Sequence, residues 1–174
     1  MEIIMKLYEI VFSPTGGTKK VADIIADRFR WESSLIDLTD RFLDFKAFTF
    51  GEEDVCIVAV PSYGGRIPDI VAERLKEMKG NKAKAVPVTV YGNRAYDDTM
   101  LELNDVLIEA GFCPVAAIAA VAEHSIMHQF AAGRPDEEDR RELVDFTDKI
   151  KRGIQSGSLT NTPRVPGKRP YRSF

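Results

Sequence analysis

Between residues 12 and 19 the sequence reads Phe12-Ser13-Pro14-Thr15-Gly16-Gly17-Thr18-Lys19, two adjacent glycines among three hydroxyls. Glycines permit a tight backbone whose N–H groups are unobstructed, and Ser13, Thr15 and Thr18 can each donate to an anion. Ahead of a helix, such a turn gains the helix's positive end, and the sum is a cradle for a phosphate group. A strand-to-helix turn with a hydroxyl cap and no ligand has the same composition. The P-loop spacing G-x-x-x-x-G-K-[ST] is absent, and G-x-G-x-x-G occurs nowhere in the chain.

Three other stretches carry residues of chemical interest. Pro61-Ser62-Tyr63-Gly64-Gly65-Arg66-Ile67-Pro68 combines an aromatic ring with two glycines and a cation, and as a bland surface turn it would leave Tyr63 half-buried. Tyr91-Gly92-Asn93-Arg94-Ala95-Tyr96-Asp97-Asp98 repeats that mixture and ends in a carboxylate suited to capping a helix. Glu123-His124-Ser125-Ile126-Met127-His128 holds both histidines of the chain, four residues apart. With no third ligand nearby, a metal site is not expected there. Nor is there a C-x-x-C, so this sequence does not by itself ligate an iron–sulfur cluster through the usual four thiolates.

These stretches follow elements that alternate in period. Apolar or β-branched runs occupy Ile3 to Phe12, Ser34 to Leu38, Val55 to Val60, Ala85 to Tyr91 and Val115 to Val121. Several are apolar at nearly every position, as strands covered on both faces are. Helical spacing links Val21, Ile25 and Phe29, then Val71, Leu75 and Met78, then Met100, Leu103, Leu107 and Ala110. Thr18 is expected to cap the first helix, Pro68 to begin the second, and Gly80 and Gly111 to follow the second and third. The last helix has acids at Asp136 to Asp139, cations at Lys149, Lys151 and Arg152, and an apolar face of Leu143, Phe146, Ile150 and Ile154. Thr39 to Glu53 reads as a connection, with room for one helical turn, that packs phenylalanines under the second strand. Alternating strands and helices imply an α/β, doubly wound, five-stranded parallel sheet in three layers. In such sheets ligands bind outside the carboxyl ends of the strands, at the topological switch point, which is where the glycine-bearing turns fall.

Composition narrows the function classes. The chain has 174 residues, 44% hydrophobic and 29% charged, the profile of one soluble globular domain. No aliphatic run is long enough to span a bilayer and the amino terminus lacks a signal-peptide pattern, so a cytoplasmic protein without a membrane partner is expected. Cys56 and Cys113 read as small buried hydrophobes. The net charge of −3 conceals an asymmetry: Gly153 to Phe174 hold four cations and no acid, leaving 20 cations against 27 acids elsewhere. An acidic body disfavours nucleic acid as a partner. The domain is expected over residues 1–155, with 156–174 a basic, Pro/Gly/Ser-rich, solvated tail that could recruit a partner.

Ser13-x-Thr15-Gly16-x-Thr18 after a first strand resembles the flavodoxin phosphate loop, [ST]-x-T-G-x-T, at every fixed position. More closely, the chain is similar to the flavodoxin domain of flavodoxin–ferredoxin fusion proteins. It shares their Ser-Pro-Thr-Gly-Gly-Thr, Tyr-Gly-Gly-Arg, Tyr-Gly-Asn-Arg-Ala-Tyr and Ala-Glu-His-Ser segments, in order, across roughly Lys6 to Ile154. The fusions continue into a cysteine-rich ferredoxin module, where this sequence has its basic tail. The resemblance implies a flavodoxin-like fold and FMN as cofactor. It assigns the phosphate to Ser13, Thr15, Gly16, Gly17 and Thr18, and the isoalloxazine to Pro61, Ser62, Tyr63, Gly64, Gly65, Tyr91, Gly92, Asn93, Arg94 and Tyr96, with Tyr63 and Tyr96 on its two faces. It implies electron transfer with a ferredoxin or other redox protein. The alternatives are an FMN-dependent NAD(P)H oxidoreductase acting on quinone-like acceptors, in which His124 donates a proton, and a flavin-free interaction module. Arg66 and Arg94 are expected beside the ring, where a guanidinium would raise its potential by Coulomb attraction. Trp31, at the end of the first helix, cannot flank the ring.

Overall fold

The computed structural model describes residues 5–124, 129 and 131–173. Its elements run β1 (Leu7–Val11), α1 (Gly17–Phe29), β2 (Ser33–Asp37), one turn of 3-10 helix (Phe45–Ala47), β3 (Val55–Pro61), α2 (Asp69–Glu77), β4 (Lys84–Tyr91), α3 (Thr99–Glu109), β5 (Cys113–Pro114), β6 (Ile118–Val121) and α4 (Glu137–Ser156). All strand pairings are parallel, in the order β2-β1-β3-β4, with β5 and β6 both on the outer side of β4. The expected fifth strand therefore comes in two pieces. It begins earlier than its apolar run and breaks after Pro114, whose missing N–H confines it to an edge.

Alternation along the strands sends side chains into two cores. Leu7, Val11, Ile57, Val88 and Ile118 meet α1 and α4 on one face; Ile10, Ile36, Cys56, Val58 and Val60 meet α2 and α3 on the other. This is the three-layer, doubly wound architecture, and its winding reverses between β1 and β3. In the connection before β3, Phe45 and Phe50 are buried while Phe42 stands 84% exposed. Among the described residues no helix is long and apolar enough to cross a membrane.

Several local expectations need correction. The cap of α1 is not Thr18, which is buried inside the helix; Gly16 holds the cap position and Ser13 Oγ accepts from Lys19 N at 3.0 Å. Gly80 is required by close approach rather than as a left-handed cap, since a Cβ there would come within 2.4 Å of Phe112 N. The helix α4 begins in a capping box between Asp136 and Asp139. It extends to Ser156, so Lys149, Lys151 and Arg152 lie before its last turn. Phe146 is half-exposed, and Thr147 takes the core position, its hydroxyl satisfied by Leu143 O. Cys56 is buried but Cys113 is exposed, because the two-residue edge strand turns it outward. Within the expected tail, which is largely exposed as far as residue 173, residues 168–172 hydrogen-bond back to α3 and its cap.

Candidate functional site

The turns after β1, β3, β4 and β6 converge at the carboxyl ends of the strands around a cavity of about 450 Å³. Ser13, Thr15, Gly17 and Thr18 form one end, with Pro14 beside them. Gly16 adopts φ +95°, a conformation glycine reaches without strain, and this turns the chain from β1 into α1. The N–H groups of Thr15, Gly16, Gly17 and Thr18 have no acceptor among the described residues, those of Gly17 and Thr18 because the first turn of a helix leaves its N–H groups without intrahelical partners. Lys19 does not reach into this end, but Lys20 and Arg134 line a smaller adjoining cavity of about 240 Å³ together with Thr15 and Gly17. The Lys19 ammonium pairs with Asp23 and lies 3.7 Å from Glu9 Oε1, beneath the turn. Within the main cavity this end thus consists of neutral donors plus a helix dipole, with the two cations on its outer side.

Glu9 is the unusual residue of β1. It is buried, and its Oε1 has no hydrogen-bond partner. Burial, with Asp23 adding to it, pushes its carboxyl up to about 8.

The second wall comes from the turn after β3. Tyr63 N donates to Arg66 O at 2.8 Å and Arg66 N to Tyr63 O at 3.1 Å, around Gly64 and Gly65 at φ +58° and +80°. Two positive φ values at the centre are the mark of a type I′ turn, which side chains oppose. Pro61, Ser62, Tyr63 and Gly64 line the cavity, and the ring of Tyr63 is 40% exposed there. Partial burial raises its phenol above the usual value.

From the turn after β4, Val90, Tyr91 and Gly92 face the same cavity. The turn after β6 contributes Ala122, Glu123 and His124. Gly92 admits His124: a Cβ there would stand 2.8 Å from the imidazole Cδ2. A second cavity of about 390 Å³ adjoins the first, sharing Ser62, Gly64, Tyr91, Gly92 and His124 and adding Gly65, Arg94, Ala95, Asp97 and Arg172.

Three expected site residues lie elsewhere. Tyr96 is absent from both walls; its ring packs edge-on against Tyr91, centroids 5.1 Å apart. Asn93, at φ +64°, is exposed at the turn's tip and lines neither cavity. Arg66 does not approach the site, because Glu102, buried on α3, takes its guanidinium through both carboxylate oxygens. Glu102 also accepts from Ile67 N at 3.2 Å, so this ion pair ties the β3 turn to α3. His128 lies outside the described residues, and among those described no group of His, Cys, Asp or Glu could hold a metal ion.

Lining residues that sequence reasoning missed are Pro14, Val90, Ala95, Asp97, Ala122, Glu123 and Arg172. All but Arg172 sit inside stretches already singled out. Nothing local marks Arg172, which reaches Asp97 across 75 residues.

No protein-family model matches the chain, and no curated protein matches it. Solved structures share its architecture. The Streptococcus pneumonia TIGR4 flavodoxin superposes with a TM-score of 0.58 at 23% identity, over 84% of this chain and 97% of that one. A short-chain flavodoxin associated with a PDU bacterial microcompartment gives 0.58 at 16% identity, over 87% and 98%. A flavone reductase gives 0.63 at 9% identity over 94% of this chain, which spans 66% of that protein. At such identities the likeness establishes the fold, and that fold is flavodoxin-like.

Proposed function

We propose that the chain binds FMN and works as an electron-transfer protein in the cytoplasm, exchanging electrons with an iron–sulfur or reductase partner. The observation that carries this is the end of the main cavity, where backbone N–H groups without acceptors and three hydroxyls stand at the N-terminus of α1, with Lys20 and Arg134 in the adjoining cavity on the far side of Thr15 and Gly17. Packing alone does not call for that arrangement, and an anionic phosphate suits it. The cavity's extent, from the β1 turn to the β3 and β4 turns, fits a ligand with a phosphate at one end and a ring at the other.

In this reading the N–H groups of Gly17 and Thr18 and the hydroxyls of Ser13, Thr15 and Thr18 hold the phosphate. Ser13 accepts from Lys19 N with its oxygen and keeps its proton to donate. Tyr63 covers one face of the ring, and Tyr91, rather than Tyr96, walls the other side. When bound, FMN supplies an isoalloxazine that takes up and returns electrons. The protein's task is to orient it, exclude water from one side and leave an edge accessible.

A second reading is favoured by His124, which lines both cavities. As an FMN-dependent NAD(P)H oxidoreductase, the protein would use an imidazole nitrogen of His124 to deliver a proton to a quinone-like acceptor. The visible absorption spectrum of the purified protein, before and after adding FMN, tests the first proposition. A bound-flavin spectrum, released as FMN on denaturation, is expected; a protein that stays colourless and leaves FMN fluorescence unquenched would turn the assignment to a flavin-free interaction module. Steady-state NAD(P)H consumption with a quinone, lost in His124→Ala without loss of FMN, would select the enzyme over the carrier.

A further inference from the structure

Residues 157–173 leave α4 at Gly157 and return over the first turns of α3, on side-chain hydrogen bonds that span 64 to 106 residues of sequence. Two acids of α3 and its cap anchor them. The Asp98 carboxylate, 8% exposed, accepts from Lys168 N at 2.9 Å and from Arg172 N at 2.7 Å. These N–H groups hold its carboxyl below the usual carboxylate range. Asp105 accepts from Arg169 through both oxygens, at 2.9 and 2.7 Å, and from the Tyr171 hydroxyl. Arg66 donates to Arg172 O at 3.0 Å and lies over the Tyr171 ring at 5.0 Å. Gly167 passes so close to α3 that a Cβ there would come within 2.6 Å of Leu101 Cβ.

This anchoring delivers one side chain to the site. The Arg172 guanidinium donates to Asp97 Oδ2 at 2.6 Å, and its Cδ lies 2.6 Å from where a Cβ on Gly65 would stand. It therefore presses on the type I′ turn from outside while Asp97 holds it in the wall of the second cavity. Asp97 offsets its charge, but Arg94 in the same wall has no acidic partner among the described residues. The two turns it bridges are already joined by Asp98 N donating to Gly65 O at 3.0 Å. Of the segment's four cations, Arg169 and Arg172 are thus neutralised within the chain. That weakens the expectation of a free basic tail docking on a partner.

We propose that Arg172, anchored through residues 167–172, completes a wall of the ligand site and acts as a positioning residue that locks the Gly64–Gly65 turn against the turn at residues 93–97. What the wall holds rests on the flavin reading. The consequence is that the segment sets cofactor affinity, whereas a partner-recruiting tail would leave it untouched.

The test compares the full chain with a truncation after Thr160, which keeps Leu159 on Gly153, and with Arg172→Ala, Asp98→Asn and Arg164→Ala. In protein free of FMN, amide exchange at Arg66 and Asp98, whose N–H groups donate to Tyr63 O and Gly65 O, should quicken about tenfold in the truncation and Asp98→Asn. The FMN dissociation constant, from fluorescence quenching, should rise about tenfold in the truncation, which is about 1.4 kcal/mol, and about threefold in Arg172→Ala. Arg164→Ala should match the full chain in both. If the truncation does not fold, the two point variants carry the test. Unchanged exchange and affinity in the truncation, or an equal loss in Arg164→Ala, would overturn the proposal. Quickened exchange in a protein that takes up no FMN in any form supports the wall and refutes the flavin reading instead.

Discussion

The two ends of the site are built on opposite principles. The turn after β1 is local: hydroxyls and glycines within six residues at one helix N-terminus, facing the main cavity with neutral donors. The rim around the β3 and β4 turns is assembled from afar and by charge, through Arg66 with Glu102, Asp98 with residues 168 and 172, and Arg172 with Asp97. A binding end that depends on backbone geometry can be encoded in one short stretch. One whose spacing must be held between separate loops needs partners from several elements, and ion pairs fix such spacing directionally.

The contrast is sharpest at Gly65, so Gly65→Val should have the largest effect. It forces a β-branched residue to φ +80° and drives its Cβ within 2.7 Å of Asp97 and Arg172. Strain and overpacking together should cost about 3 kcal/mol, read as a fall of about 10 °C in melting temperature, with FMN binding reduced alongside. Glu102→Gln comes next. It leaves Arg66 without its carboxylate in a mostly buried position and should cost about 2 kcal/mol in denaturant unfolding, while the cradle's phosphate affinity is spared. In the opposite direction, Ser13→Ala removes a cap acceptor and a donor. It should weaken FMN binding about tenfold while costing only about 1 kcal/mol of stability. Equal effects of Ser13→Ala and Glu102→Gln on affinity and on stability would erase the distinction between the two ends.

An effect of pH rather than of ligand lies in β1 beneath the cradle. Burial raises the Glu9 carboxyl from 4.5 to about 8, so the folded chain keeps a proton that the unfolded chain loses. Its contribution to stability is full below about pH 4.5 and falls away as pH climbs toward 8. Glu9→Gln should flatten that decline, and urea unfolding at the two ends of this window would show it; an unchanged slope would mean that another group carries the proton.

The layout of strands and helices was legible because the central strands are buried on both faces and declare it by unbroken apolar runs. The cradle was legible for the same local reason, although the hydroxyl that caps α1 belongs to Ser13 and not Thr18. Errors gathered where a residue's surroundings come from distant sequence. Cys113 and Phe146 sit in apolar patterns, but an edge strand and a helix border turn them outward. Arg66 looked available to a ligand until α3 supplied Glu102, 36 residues on. Tyr96 turned to its neighbour Tyr91 rather than to the cavity. Basic residues near position 170 read as solvated because the acids that bind them, Asp97, Asp98 and Asp105, lie some 64 to 75 residues earlier.

The long reach of Arg172 also orders events in time. A ribosome delivers the cradle, β1 to β4 and the acids of α3 well before residue 172 exists, and loops closed over such separations form late. The turn after β1 can therefore form on a nascent chain while the rim around the β3 and β4 turns is still open. If that turn holds a phosphate as proposed, loading would begin there and be secured once residues 167–172 lie on α3.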